Sequence, residues 1–201
     1  MKEKVLIKKE TEVKLPTKYG DFVLYAYSVE TTGEQHLALV KGRWEKDEAV
    51  LARIHSSCMT GDVFGSLRCD CGPQLEKAMQ IIETEGKGVI LYLNQEGRGI
   101  GLINKLKAYK LQENGSDTVE ANLELGFKMD ERDYGVGAEI LRDLGISKIK
   151  LLSNNPDKME GLKEYGLEVV ENIPIQVESN IHNIDYLLTK RDKMNHKLNL
   201  D

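Results

Sequence analysis

The sequence has few cysteines, few aromatic residues and no long apolar run. Its 201 residues include three cysteines, one tryptophan and four prolines. Three thiols cannot all pair with one another, so they indicate metal binding or catalysis in a reducing compartment rather than a disulfide scaffold. No run approaches the ~18 apolar residues of a membrane span, and the first ten residues lack the apolar core of a signal peptide. We therefore expect a cytoplasmic protein with no membrane partner.

An excess of positive charge is also lacking. The formal net charge is -5 and the pI is near 5.5. Nucleic-acid backbones are bound by clustered Lys and Arg, so we expect no nucleic-acid partner, whereas a small anionic ligand stays possible. Hydrophobic residues at 40% and charged residues at 30% are ordinary for a globular protein. A chain of this length predicts a single domain over residues 1–201.

The hydrophobic periodicity predicts an α/β fold. Residues 5–55 alternate short apolar runs with turn residues, which is typical of antiparallel strands. Helices are predicted from Pro73 to Gly86 and over Leu102–Glu113, Val136–Leu144, Pro156–Tyr165 and 182–200, with strands at Val89–Leu93 and Ile149–Leu152. The alternation of these elements predicts a mixed sheet with antiparallel N-terminal strands and flanking helices.

The three cysteines lie where a predicted strand ends and a predicted helix begins. Cys58 follows the apolar run that ends at His55, and Cys69 and Cys71 precede the helix that Pro73 opens. Three soft thiolates select zinc over magnesium or calcium. A site with three protein ligands leaves a position for water, as catalytic zinc sites do, whereas structural sites usually have four. Two alternatives stay open: thiols that bind no metal, and a structural zinc with His55 as the fourth ligand.

A glycine-rich segment, Asn94–Leu102, follows a predicted strand and precedes a predicted helix. Backbone NH groups in this context can bind a phosphate, and Arg98 adds a guanidinium fork, although an ordinary turn fits the pattern equally well. The glycine spacing is neither that of a P-loop nor that of a dinucleotide-binding motif. The polar segments Asp130–Asp133 and Ser153–Lys158, taken alone, are typical of a solvated loop and a helix cap, and Tyr109 of a half-buried helix residue.

Taken together, these motifs resemble GTP cyclohydrolase II, the enzyme that opens riboflavin biosynthesis. The resemblance runs from about Leu15 to Leu198. The motifs that carry it are Arg53–Asp62, Ser66–Gly72, Gln95–Leu102, Asp117–Asn122, Asp130–Arg132 and Ser153–Pro156. Several ordered motifs over most of a chain form a specific signal.

The resemblance implies a role for each matching residue. One zinc ion per subunit would be held by Cys58, Cys69 and Cys71. Catalytic roles carry over to Asp130 as proton acceptor, Arg132 as proposed nucleophile and Tyr109 in completing the reaction. GTP contacts carry over to Arg53, Ile54, His55, Ser56, Ser57, Gln74, Glu96, Gly97, Arg98, Thr118, Ser153 and Lys158. Because a guanidinium stays protonated at ordinary pH, electrostatic clamping by Arg132 is physically favoured over covalent attack.

The implied reaction converts GTP to 2,5-diamino-6-(5-phosphoribosylamino)pyrimidin-4-one with loss of formate and pyrophosphate. It requires magnesium with GTP as well as zinc, and a homodimer is expected. Related bifunctional proteins carry a second enzyme domain, for which 201 residues leave no room, so a monofunctional chain is expected. Two residues depart from the family pattern: Ser57 stands where many relatives have Glu, and Ser153 where Thr is common.

Three other functions are alternatives to this one. A zinc nucleobase deaminase needs a His-x-Glu segment paired with Pro-Cys-x-x-Cys, and the sequence has neither. A zinc-stabilised binding module would need a fourth ligand and, for nucleic acid, a basic face. A cyclohydrolase that stops at a formamide intermediate is the serious alternative, and the presence of Tyr109 favours the complete reaction.

Overall fold

The structure, a computed structural model, describes residues 4–200. Its strands are β1 (Ile7–Thr17), β2 (Gly20–Val29), β3 (Gln35–Lys41), β4 (Ala49–Ser56), β5 (Gly88–Leu93), β6 (Lys148–Leu152) and β7 (Glu168–Ile173). Its α-helices are α1 (Cys71–Glu85), α2 (Leu102–Glu113), α3 (Thr118–Glu124), α4 (Gly135–Asp143), α5 (Pro156–Glu164) and α6 (Ile184–Met194). A π-helical turn covers Met59–Val63 and a 3₁₀ turn covers Glu96–Gly99. Within the described range, no helix is both long and apolar enough to span a bilayer.

The seven strands form one mixed sheet in the order β1-β2-β3-β5-β4-β6-β7. Strands β1, β2 and β3 are antiparallel neighbours, and β3 is antiparallel to β5. Strand β4 is parallel to β6, and β6 is parallel to β7. The predicted α/β class with a mixed sheet is confirmed. The antiparallel arrangement holds for β1 to β3, whereas β4 joins the parallel part, which needs long crossover connections of the kind that helices provide.

The chain divides into two compact units, each built from three segments. The first unit comprises the residues up to 55 together with 75–94 and 133–175, and it holds the sheet. The second comprises 56–74, 95–132 and the residues from 176 onward, and it holds the cysteines, the glycine-rich segment and helices α2, α3 and α6. The prediction of one domain over 1–201 stays a prediction.

The core of the first unit lies on both faces of its sheet. Successive side chains of a strand point to opposite faces, and β5 accordingly sends Leu91 into one buried cluster and Ile90 into another. Helix α4 covers the Leu91 face with Ile140, and α1 covers the other face with Ile82. The continuous apolar run of β5 therefore reflects burial on both sides.

The observed elements differ from the predicted ones mainly at their ends. Helix α1 begins at Cys71, before Pro73, which is tolerated because a first-turn proline removes no intrahelical hydrogen bond. Helix α6 covers less than the predicted 182–200, since Asn195 adopts a left-handed conformation with φ 54° after its last residue. Helix α3 and strand β7 were not predicted, because α3 has seven residues and β7 has polar, exposed positions.

The buried strand β5 generates a stability prediction. Leu91 is 0% exposed and packs in the main core cluster, whereas Leu6 is 55% exposed. Leu91→Ala is expected to lower the free energy of unfolding by about 2–5 kcal/mol through lost burial and a residual cavity, while the control Leu6→Ala changes it by less than about 0.5 kcal/mol. Urea unfolding measures both. Equal effects of the two variants would contradict the assignment of Leu91 to the core.

Candidate active site

The three cysteines converge in the second unit. The sulfur atoms of Cys58, Cys69 and Cys71 all lie within 4.8 Å of one another, and this group is the cluster of metal-ligating type found among residues 4–200. Cys58 and Cys69 are buried, and Cys71 is partly buried. His55, weighed above as a fourth ligand, is not a member of the group; its ring stacks on Tyr92 in the first unit, with centroids 5.5 Å apart.

The spacing of the sulfur atoms fits a zinc ion. Zn–S bonds of about 2.3 Å at tetrahedral angles place two sulfurs about 3.8 Å apart. The Sγ atoms of Cys58 and Cys69 are 3.7 Å apart. The donor set, three thiols in a mostly buried position, also has the softness that zinc prefers over hard cations. The residues present therefore fit the metal that the sequence predicts.

The pKa values of the three thiols indicate that a cation would stabilise the cluster. Hydrogen bonds from Cys69 and Cys71, together with the nearby Lys105, hold the pKa of Cys58 far below its ordinary value. The hydrogen bond to Cys58 raises the pKa of Cys69 to about 11, and that of Cys71 is also raised. One thiolate forms readily, but the second and third would form beside an existing negative charge. A bound cation removes that obstacle.

Local backbone structure brings Cys58 to the other two cysteines. The π-helical turn Met59–Val63 follows Cys58 directly, and the Asp62 carboxylate accepts a hydrogen bond of 2.9 Å from the Cys58 backbone N–H. Gly61 lies within this turn against the sulfurs. A Cβ atom at position 61 would be 2.9 Å from Cys69 Sγ and 3.2 Å from Cys58 Sγ, so only glycine leaves room for the cluster.

Lys105, on helix α2, is a residue of this site that the sequence analysis missed. Its buried ammonium group lies 3.0 Å from Cys58 Sγ, 2.8 Å from Thr60 Oγ1 and 2.8 Å from Glu96 Oε1. Burial lowers the pKa of Lys105, but the hydrogen bonds to Cys58 and Glu96 outweigh it and raise the pKa above its ordinary value. The ammonium group therefore stays charged. Lysine is common on exposed helix surfaces, so the sequence around Lys105 does not distinguish it from a surface residue.

Glu96, a predicted GTP contact, is held by three donors of its own unit. Its carboxylate accepts hydrogen bonds from Lys105, from the Gly97 N–H at 3.0 Å and from the Met59 N–H at 2.6 Å. It thereby links the 3₁₀ turn to the π-helical turn. In this arrangement Glu96 is a fixed structural carboxylate as well as a candidate ligand contact.

The glycine-rich segment has an unusual backbone. Gly97, Arg98, Gly99 and Gly101 all have positive φ, and at 61° the value for Arg98 is rare for a residue with a side chain. The Arg98 carbonyl accepts a hydrogen bond of 3.1 Å from the Glu131 N–H. The left-handed turn is therefore tied to the Asp130–Arg132 segment.

Asp130 and Arg132, the predicted proton acceptor and nucleophile, form a bidentate ion pair. The Arg132 Nε atom lies 2.9 Å from Asp130 Oδ1, and an Arg132 Nη atom binds Asp130 Oδ2. Burial raises the pKa of the Asp130 carboxyl, but the Arg132 guanidinium lowers it more, so the pKa lies below its ordinary value. The other Nη atom lies 3.4 Å from Ser56 Oγ. The carboxylate is thus ionised and orients a charged guanidinium.

Tyr109 lies in the same unit beside the thiol-bearing turn. Its ring is 5.6 Å from Lys105 Nζ and 4.2 Å from the Arg68 guanidinium carbon. Burial raises the pKa of Tyr109, against smaller lowering effects of Lys105 and of a hydrogen bond with Thr60. The phenol is therefore protonated and close to the groups that surround Cys58.

The other predicted contacts of the second unit have different surroundings. Gln74 donates a hydrogen bond of 2.7 Å to the Asp70 carboxylate. Thr118 is the first residue of α3, whose capping box joins Asp117 and Glu120. The hydroxyl oxygen of Ser57 is buried and has no hydrogen-bond partner within residues 4–200.

The first unit holds a separate polar group near the carboxyl ends of β4 and β6, formed by residues of β4, of α5 and of the segment after β6. Arg53 donates to the Leu152 carbonyl at 2.9 Å, and the buried Lys158 ammonium donates to the Ile54 carbonyl at 2.7 Å. Ser153, directly after β6, accepts a hydrogen bond of 3.0 Å from the Asn155 N–H. Ligands of α/β sheets bind at the carboxyl ends of parallel strands, so this group has the composition and place of an anion-binding site.

Comparison with known proteins agrees with these features. The sequence model of the GTP cyclohydrolase II family matches residues 8–174. Riboflavin biosynthesis proteins RibBA from Cytophaga hutchinsonii and Parabacteroides distasonis are 68% and 60% identical to this chain over 193 residues, covering 96% of it and 48% of each relative. The RibBA protein from Bacillus cereus is 58% identical over 195 residues, covering 97% of this chain and 49% of the relative. The chain spans about half the length of the curated relatives it matches.

A solved structure is similar at a lower level. The crystal structure of RibBX, a two-domain 3,4-dihydroxy-2-butanone 4-phosphate synthase from A. baumannii, is 25% identical, with a TM-score of 0.48, covering 88% of this chain and 41% of that chain. A likeness of this size supports no functional statement. The family match, in contrast, covers most of the chain, which therefore belongs to the GTP cyclohydrolase II family. The resemblance inferred from the motifs is confirmed.

The lack of a side chain at position 61 generates a prediction about metal binding. Gly61→Ala is expected to weaken zinc binding by about 10- to 100-fold, the range seen when groups that support metal ligands are changed, because the added methyl group displaces Cys58 and Cys69. Competition with a chelating dye measures the affinity. Val63→Ala, in the same turn but exposed, is the control and should bind as the unchanged protein does. An unchanged affinity of Gly61→Ala would show that the sulfurs do not bind zinc in this arrangement.

Proposed function

We propose that this chain is a zinc-dependent hydrolase that converts GTP to 2,5-diamino-6-(5-phosphoribosylamino)pyrimidin-4-one, releasing formate and pyrophosphate as the first step of riboflavin biosynthesis. The observation that carries the proposal is the three-cysteine cluster with zinc-compatible spacing in a chain of the GTP cyclohydrolase II family. The names of the relatives support the same pathway.

The proposed zinc ligands are Cys58, Cys69 and Cys71. A zinc ion held there would activate water for the hydrolysis of the guanine imidazole ring at neutral pH. Three thiolates and one zinc ion carry one net negative charge, which would weaken that effect. Lys105 offsets it, because its ammonium group lies 3.0 Å from Cys58 Sγ and withdraws electron density from that ligand.

Arg132 and Asp130 are proposed to serve the phosphate half of the reaction. Charge develops on the α-phosphate and on the leaving pyrophosphate, and a preorganised guanidinium stabilises it. The bidentate pair with Asp130 supports this electrostatic role, because an ionised carboxylate beside Arg132 keeps the guanidinium protonated and oriented. Covalent attack by Arg132 would require the loss of that proton. Asp130 as a proton acceptor stays a proposal from the family resemblance.

The GTP contacts are proposed residue by residue. In the first unit, Arg53 in β4, Ser153 directly after β6 and Lys158 in α5 would bind anionic groups of the substrate. The side chains of Arg53 and Lys158 donate to carbonyls in the last residues of β6 and β4, near the carboxyl ends of these parallel strands. In the second unit the proposed contacts are Ser56, Ser57, Gln74, Glu96, Gly97, Arg98 and Thr118. Ile54 and His55 complete the proposed set. Magnesium bound to GTP, a homodimer and a cytoplasmic location are proposals of the same kind.

Simultaneous measurement of the two small products tests the proposed reaction. Zinc-loaded protein incubated with GTP and magnesium is expected to release formate and pyrophosphate in equal amounts. Cys69→Ser, which removes one thiol, is expected to lose formate release. Pyrophosphate without formate would support an enzyme that stops at the formamide stage, and the absence of both products would overturn the assignment.

Tyr109 separates the complete reaction from the early-stopping alternative. Tyr109→Phe removes only the phenolic hydroxyl, and we expect formate release to fall by about 100-fold or more, the usual contribution of a positioned proton-transfer group, while pyrophosphate release continues. Mass spectrometry should then detect a formamide intermediate. Tyr25→Phe, on β2 in the first unit, is the matched control. An equal fall of both products would argue against a specific role of Tyr109 in completing the reaction.

A further inference from the structure

Helix α6 buries a lysine on its inward face. The family match ends at residue 174, and α6 (Ile184–Met194) lies beyond it. Its buried positions are Leu187, Lys190 and Met194, a spacing typical of one helix face. The Lys190 side chain is only 9% exposed, whereas the neighbouring Arg191 side chain is 40% exposed. Lysine is almost never this buried unless it is paired.

The partner of Lys190 is Asp70, the residue between Cys69 and Cys71. The Lys190 ammonium lies 2.9 Å and 3.1 Å from the two carboxylate oxygens of Asp70, which is 2% exposed. Asp70 also accepts a hydrogen bond from Gln74 at 2.7 Å. One carboxylate thus joins α6 to the turn that carries two of the three thiols.

Helix α6 has two further contacts with segments of its own unit. The Tyr186 ring lies 5.9 Å from the Arg98 guanidinium carbon and 5.0 Å from Lys190 Nζ. Lys193 forms an ion pair with Asp117, the N-cap of α3. The helix therefore contacts the cysteine turn, the glycine-rich turn and the start of α3.

A buried ion pair is a poor source of stability, because the desolvation of both charges offsets most of their attraction. Its geometry, in contrast, is demanding, since a carboxylate that binds an ammonium group with both oxygens has little freedom to move. Asp70 lies directly between Cys69 and Cys71, so fixing its side chain fixes the backbone from which both thiols project. Groups that support metal ligands in this way typically change metal affinity by 10- to 100-fold when removed.

We propose that Lys190 is a positioning residue of the active site, which acts through Asp70 to hold Cys69 and Cys71 in the arrangement that binds the metal. The inference rests on the proposed zinc site. It adds α6, outside the matched family region, to the parts of the chain that the site requires.

The test uses the full chain and measures metal binding rather than turnover. Lys190→Met, Lys190→Arg and the control Arg191→Met are compared with the unchanged protein for zinc affinity by chelator competition and for the visible spectrum of the cobalt-substituted form. We expect Lys190→Met to bind zinc at least about tenfold more weakly and to show altered cobalt bands. Lys190→Arg should recover part of the affinity, and Arg191→Met should match the unchanged protein.

Lys190→Met leaves the buried Asp70 carboxylate without its cation, which can prevent folding. The double variant Asp70→Asn/Lys190→Met buries no unpaired charge and serves as the test in that case. Its zinc affinity is expected to lie below that of the unchanged protein. Unchanged affinity and cobalt spectrum in whichever of these variants folds would overturn the positioning role while leaving the zinc site intact. The proposed zinc function fails if the unchanged protein binds no zinc, or if Cys69→Ser binds zinc as tightly as the unchanged protein. In either case the inference about Lys190 fails with it.

Discussion

Three sulfur atoms within 4.8 Å of one another in a mostly buried turn set an electrostatic requirement that the second unit is built to meet. Thiolates repel one another, and burial raises the free energy of each charge. The pKa of Cys58 is lowered and that of Cys69 is raised to about 11, because one thiolate opposes the formation of the next. A bound metal ion would remove most of this repulsion, and Lys105 contributes a positive charge from α2.

The surroundings of the cluster follow from this requirement. Glu96 pairs with Lys105 at 2.8 Å, so the Lys105 ammonium group lies between two negative partners, the Glu96 carboxylate and the Cys58 thiolate. Asp70 would add a further negative charge next to Cys69 and Cys71, and Lys190 neutralises it from α6. The buried charges of Asp70, Lys105 and Lys190 thus each have an opposite partner, as the low polarity of a protein interior demands. The site is therefore a charge-balanced network whose parts come from separate segments.

Residues of this site that lie in recognisable motifs can be predicted from the sequence, whereas contacts between distant segments cannot. Residue type and spacing are enough to predict the thiol cluster of Cys58, Cys69 and Cys71, and helix α2 has the predicted bounds, Leu102–Glu113. Lys105 and Lys190 are lysines in helices, and most lysines of helices face solvent. Only the tertiary fold shows that their partners lie 47 and 120 residues away along the chain.

The pairing of β4 shows the same limit in the sheet. Apolar runs over 5–55 predicted antiparallel neighbours, and β1 to β3 follow the prediction. Strand β4 instead lies between β5 and β6 and is parallel to β6, a pairing that requires the long connection between them. That pairing puts Arg53 of β4 beside the end of β6, which Ser153 follows, a proximity which no local pattern contains.

The backbone of the glycine-rich turn links two segments of the second unit. Arg98 adopts a left-handed conformation that costs roughly 1–2 kcal/mol for a residue with a side chain, so other contacts must hold it. Its carbonyl binds the Glu131 N–H, and a Cβ atom at Gly99 would approach the Glu131 backbone to 3.2 Å. The glycine at 99 thus permits close contact with the segment that carries Asp130 and Arg132. Gly99 therefore serves to join two segments of the candidate site, a role in addition to the phosphate binding that the glycine pattern suggests.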